Sequence, residues 1–125
     1  EFPRINDHFV GRENRFIYVP TLTHTLLAES PPSASFNCLI RVDTETGTHL
    51  RHDFGNRFAG EAVFIGRESC EDEGYLATFL DDQEAGTTDL ALLDAADIEA
   101  DPVALIRMPQ RVPQGLHGIW VPDSK

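Results

Sequence analysis

Five histidines, two cysteines and a surplus of carboxylates are the groups in these 125 residues that could hold a metal or move a proton. The most informative is His117, set in Arg111-Val112-Pro113-Gln114-Gly115-Leu116-His117-Gly118-Ile119-Trp120-Val121-Pro122. Imidazole is the commonest neutral nitrogen ligand for iron, zinc and copper, and glycines on both sides let the backbone come close to a bound ion. One histidine cannot hold a metal, so its partners must lie elsewhere. His49 and His52 are three apart in a strand-like stretch, where alternation puts them on opposite faces and stops them sharing one ion. His8 and His24 read as solvated loop residues. Cys38 and Cys70 have no neighbouring Cys or His pair, which argues against structural zinc; they could form one disulfide in an oxidising compartment, but without an export signal two reduced, mostly buried thiols are the better reading. There is no Gly-x-Ser-x-Gly elbow, phosphate loop or dinucleotide fingerprint.

Charge narrows the partners. Ten Lys and Arg against 21 Asp and Glu give 10 − 21 = −11, which repels phosphate backbones and excludes nucleic acid as an expected partner. The densest acidic run, residues 68–73, reads as a solvated loop. Neither it nor Asp81-Asp82-Gln83-Glu84 has the alternate-position oxygens and closing Glu of a calcium loop. No run of about 18 apolar residues is present for a membrane span, and the first residues lack a signal peptide's pattern. With two reduced thiols, this points to a cytoplasmic protein. The missing initial Met suggests a piece of a longer chain.

The elements that must position these groups are short. Residues 1–14 read as a loop, 15–19 as a strand stopped by Pro20, and 21–35 as unpatterned, with a helical turn or strand at 23–29. Segments 36–43 and 48–54 flank Thr44-Glu45-Thr46-Gly47, a hairpin signature. Residues 61–65 have the compact apolar look of a buried strand. Segments 73–81 and 87–95 enclose the turn Asp82-Gln83-Glu84-Ala85-Gly86, and 102–108 is a last strand reached through a single helical turn at 96–101. About seven strands at the 8–12-residue spacings of an all-β sandwich, barrel or propeller, with no long amphipathic helix, predict that 1–125 is all-β and either one domain or a piece of one, with no separate second domain. The four strands of 61–108 make one propeller-blade-sized unit, and 15–54 looks like an earlier one.

Glu1 precedes the first unit, Glu61 opens the second and His117 follows it, at separations of 60 and 56 residues. Equivalent points on a propeller's innermost strands converge on its axis, so one group per blade could build a metal site there. Carboxylates would then brace the second nitrogen of ligating histidines. Taken singly, a Glu is most often a surface residue and a His in a β protein a loop or hydrogen-bonded core residue.

Three motifs carry a resemblance across the whole chain: Glu1-Phe2-Pro3-Arg4-Ile5-Asn6; Gly60-Glu61-Ala62-Val63-Phe64-Ile65 with Glu73-Gly74-Tyr75-Leu76; and Arg111 to Trp120. In order and register the sequence resembles the C-terminal part of the carotenoid cleavage oxygenases, which include apocarotenoid and lignostilbene dioxygenases. The resemblance implies about two blades of a seven-bladed β-propeller with Fe(II) on the axis, held by four histidines, three of them braced by glutamates. His117 would be the last iron ligand, and Glu1 and Glu61 carboxylates behind ligating histidines. The other three histidines and one glutamate would lie upstream. The implied reaction is cleavage of a conjugated double bond by O₂ in a small hydrophobic carotenoid, apocarotenoid or stilbene-type substrate. Ile65-Gly66-Arg67 replaces a frequent proline before the arginine, and Leu116 a frequent phenylalanine; neither change touches a ligand. A non-catalytic β-propeller binding or structural module is the alternative. Two blades alone would expose sheet edges and self-associate.

Overall fold

The computed structural model describes residues 2–22, 36–67 and 69–123. Apart from a 3-10 turn at Asp7–Phe9, the regular elements are strands: β1 Phe16–Thr21, β2 Cys38–Asp43, β3 His49–Asp53, β4 Phe58–Ala59, β5 Val63–Gly66, β6 Gly74–Asp82, β7 Thr87–Asp94 and β8 Ala104–Arg107. They form two antiparallel meanders, β1-β2-β3 and β4/β5-β6-β7-β8. The chain is all-β, as its strand spacing predicts. The expected helical turn or strand at 23–29 lies outside the described residues.

The two sheets are built alike. In the first, Arg4 bridges Tyr18, which pairs with Arg41. In the second, Phe64 pairs with Leu76, which pairs with Leu93. Arg4 and Phe64 therefore hold equivalent places on the innermost strands, 60 residues apart in the sequence. The loop expected over 1–14 thus carries an edge contact at Arg4 and the 3-10 turn.

Local chemistry explains both hairpins. Gly47 and Gly86 adopt φ of 70° and 65°, the left-handed conformation that glycine takes without steric cost. At the first, the Asp43 carboxylate accepts from the N–H groups of Glu45 and Thr46 and forms a fork with Arg15. Pro20 does not stop β1, which runs on to Thr21. Tyr18 exchanges both backbone bonds with Arg4, so even-numbered residues of β1 turn their N–H away from β2, and proline removes no ladder bond at position 20.

The strand expected over 61–65 begins only at Val63. β4 and β5 both pair with β6, but Ala59 faces Leu80 while Val63 faces Ala77. Three residues, Gly60 to Ala62, thus stand opposite two, Thr78 and Phe79, which is a β-bulge. Its polar groups are satisfied: Gly60 N–H donates to Phe79 O, and Thr78 Oγ1 donates to Gly60 O. At 96–101 the chain makes turns rather than a helix.

The core lies between the sheets, where Tyr18, Leu39 and Phe54 meet Phe64, Leu76, Leu80, Leu93 and Ile98. Each such aliphatic or aromatic side chain contributes about 1.5–3 kcal/mol by leaving water. The Tyr18 ring packs 5.2 Å from that of Phe64, and its hydroxyl donates to Ala95 O at 2.9 Å. Burial pushes the Tyr18 phenol up to about 12, against the opposing pull of Arg41.

The acidic run is not a solvated loop. Glu71 Oε1 accepts the N–H groups of Arg15 and Phe16 at 2.6 and 2.7 Å, and Asp72 pairs with Arg41 at 2.8 Å, tying the β5–β6 connection to the first sheet. Both thiols are free, with Cys38 buried as expected; Cys70, contrary to expectation, is exposed in this same connection.

Candidate metal centre

The bulge at 60–62 aims Glu61 toward the segment that carries His117. Glu61 Oε2 accepts the Gly118 N–H at 2.8 Å, and Oε1 stands 3.4 Å from His117 Nδ1. The Glu61 side chain is 7% exposed and that of His117 64%, so the carboxylate sits behind the imidazole rather than beside it in solvent. Two further groups close the arrangement. Arg4 donates from Nε to Glu61 Oε1 at 3.0 Å and from Nη2 to the Gly118 carbonyl at 2.6 Å. The Phe2 ring meets the imidazole edge-to-face at 5.2 Å. Phe2 has φ of 53°, a conformation an L-residue adopts at a cost of order 1–3 kcal/mol when its surroundings impose it.

Electrostatics keep Glu61 ionised. Burial alone would raise its pKa, but the Arg4 hydrogen bond, the Gly118 N–H, the Arg4 charge and His117 outweigh it and hold the carboxyl below its ordinary range. A carboxylate on Nδ1 favours the tautomer with its proton there and leaves the Nε2 lone pair on the far side of the ring. This donor chemistry fits one ligand of a histidine-rich metal site. Among the described residues no three His, Cys, Asp or Glu converge as a metal site, so the remaining ligands would have to come from beyond them.

Of the residues expected here, Glu61 and His117 are brought together, and Glu1 lies outside the described residues. His49 and His52 do lie on opposite faces of β3; His52 Nδ1 donates to Ile98 O at 2.7 Å. His8 is exposed on the 3-10 turn, and His24 is outside the described residues. Residue type and spacing alone do not distinguish Phe2 and Arg4. Their signal was their place beside Glu1, in the one motif whose register with the Glu61 strand puts them near the same point.

The retinal pigment epithelial membrane protein family model matches residues 1–122. Carotenoid 9,10(9′,10′)-cleavage dioxygenase 1 of Phaseolus vulgaris is 35% identical over 137 aligned residues, covering 100% of this chain and 25% of that one. The apocarotenoid-15,15′-oxygenase of Synechocystis is 32% identical, covering 96% and 24%. Among solved structures, the cobalt-substituted Synechocystis apocarotenoid oxygenase superposes with a TM-score of 0.83 at 32% identity, over 97% of this chain and 25% of that one. The chain thus spans about a quarter of the length of these relatives, and its two sheets are about two blades of their β-propeller. Family match, relatives and superposition agree: the chain belongs to the carotenoid cleavage oxygenases, the retinal pigment epithelial membrane protein family.

Proposed function

We propose that this chain is a portion of an iron(II)-dependent dioxygenase that cleaves a conjugated carbon–carbon double bond of a carotenoid, apocarotenoid or stilbene-type molecule. The observation that carries the reading is the grip of Glu61 on both His117 Nδ1 and the Gly118 N–H. In this reading His117 offers Nε2 to iron, Glu61 holds its ring from behind, and Glu1 does the same for a histidine elsewhere in the parent protein. When bound, iron(II) supplies the redox chemistry that brings both atoms of O₂ into two carbonyl products. Neutral imidazole ligands leave the ion its full charge, and Leu116, Ile119 and Trp120 offer exposed apolar surface beside His117 for a hydrophobic substrate. The free thiols accord with a cytoplasmic location, which belongs to the same proposal.

The test is His117→Ala in the full-length gene product. Elemental analysis should show loss of bound iron, and incubation with O₂ and a carotenoid, an apocarotenoid or a stilbene should give aldehyde products only with the unmutated protein. Normal iron content in the variant would sink the assignment and favour a binding or structural module.

A further inference from the structure

Arg4 stands on the inner edge of the first sheet, through its bridge to Tyr18, yet its side chain reaches the segment that follows the second. There it closes a ring of three hydrogen bonds. Glu61 Oε2 takes the Gly118 N–H, Arg4 Nη2 donates to the Gly118 carbonyl, and Arg4 Nε donates to Glu61 Oε1. Both backbone polar groups of the residue after His117 are therefore held, one by the bulge and one by the neighbouring sheet. The segment is pinned from below as well, since a Cβ on Gly118 would lie 3.1 Å from Val63 Cγ2.

Resting on the reading of His117 as a metal ligand, we infer that Arg4 is a positioning residue for it. Arg4 locks the Glu61 carboxylate and the Gly118 peptide to each other, and so fixes where the imidazole points. A planar guanidinium can donate along Nε and Nη2 at once; a lysine ammonium is a single point on a flexible stem and reaches one acceptor well. Arg4 also neutralises a carboxylate whose side chain is nearly buried, which would otherwise draw on His117 and Gly118 alone. Arg4 touches no reacting atom and acts through Glu61 and the backbone.

The experiment uses the full-length protein, stripped of metal and titrated with Co²⁺, with affinity and the visible ligand-field spectrum as readouts and the metal-free unfolding midpoint as a control. Arg4→Met should weaken Co²⁺ binding by about 10–100-fold and shift the spectrum. Arg4→Lys should recover only part of the loss, and it remains a usable test if the Met variant folds poorly. In a Glu61→Gln background Arg4→Met should add less than it does alone. Wild-type affinity and spectrum in Arg4→Met, or a fully additive effect with Glu61→Gln, would overturn the inference while leaving His117 a ligand. Equal Co²⁺ binding by the unmutated protein and His117→Ala would instead overturn the ligand assignment beneath it.

Discussion

Arg111 and Asp81 meet through two hydrogen bonds, Nε to Oδ1 at 3.1 Å and Nη2 to Oδ2 at 2.8 Å, and this fork fixes the root of the segment that ends at His117. The adjoining Val112 N–H donates to Thr88 Oγ1, so the segment leaves the second sheet from two anchors on β6 and β7. Arg4 and Glu61 hold its other end at Gly118. Between these grips residues 113–117 carry no regular structure, and the position of His117 depends on the anchors rather than on a helix or strand.

Asp81→Ala should therefore loosen the segment more than it destabilises the fold. The cost in global stability should be about 1 kcal/mol, because Arg111 is largely solvated. Tryptic cleavage after Arg111 should quicken severalfold, as followed by mass spectrometry of the full-length protein. An unchanged cleavage rate would mean that the fork does not restrain the segment.

Tyr18 makes alkaline stability a readout of the contact between the sheets. Its folded pKa is raised from 10.0 to about 12, so its contribution is fully present below pH 10 and is lost as pH rises toward 12, where the unfolded chain ionises first. Two units correspond to roughly 2–3 kcal/mol across that window. Tyr18→Phe should cost about 1–2 kcal/mol at neutral pH through the lost bond to Ala95 O, and should flatten the decline between pH 10 and 12 relative to the unmutated protein. The buried Cys38 thiol, raised by burial against the pull of Arg51, adds its own alkaline loss to both proteins and cancels in the comparison. Denaturant titrations at pH 8, 10 and 11.5 would decide, and parallel curves would sink the idea.

The outer face of the second sheet carries a row of apolar side chains. Phe79, Leu90 and Ile106 lie opposite one another across β6, β7 and β8, with Phe79 42% and Ile106 48% exposed. Among the described residues β8 pairs only with β7, leaving its other edge free. Expressed alone, the 125-residue chain should cover this face with a second copy of itself, giving a mass that rises with concentration in sedimentation equilibrium. Phe79→Asp should weaken that association by about tenfold or more, since it puts a charge where an aromatic ring would be buried. A monomer at all concentrations would show that the face needs no cover.

The hairpins are legible in the sequence because Gly47 and Gly86 mark their turns locally, and the strands because alternation needs no knowledge of partners. The bulge at 60–62 is not, since it exists only in the register of β4 and β5 against β6. The acidic run misleads for the same reason. Glu71 caps Arg15 and Phe16 from 55 or more residues away, and Asp72 meets Arg41 across 31, so composition sees only a charged loop. Strand spacing and the three motifs brought Glu61 and His117 to notice. The motif beside Glu1 marks Arg4 as a neighbour of the site, but its role shows only in the fold, because its acceptors on Glu61 and Gly118 lie 57 and 114 residues away in the sequence.

Asn6 is a second long-range tie that spacing conceals, and it makes a sharp test of packing. Only 1% exposed, it donates from Nδ2 to Arg67 O at 3.0 Å and Cys70 O at 3.2 Å, while Oδ1 accepts the His8 N–H. Asn6→Ala takes its donor from the Arg67 carbonyl and empties a buried, filled site, and should cost about 2–3 kcal/mol. Asn6→Asp should cost at least as much, because it turns a carboxylate oxygen on two carbonyls. Gly66 belongs to the same contact: a Cβ there would lie 2.3 Å from Asn6 Oδ1, so Gly66→Ala must displace the amide. Once Asn6 is already alanine the methyl group has room, and the double variant should be more stable than the sum of the single changes by about 1 kcal/mol or more. Urea unfolding of the four proteins measures this directly. Additivity to within about 0.5 kcal/mol would mean that Gly66 is small for some reason other than Asn6.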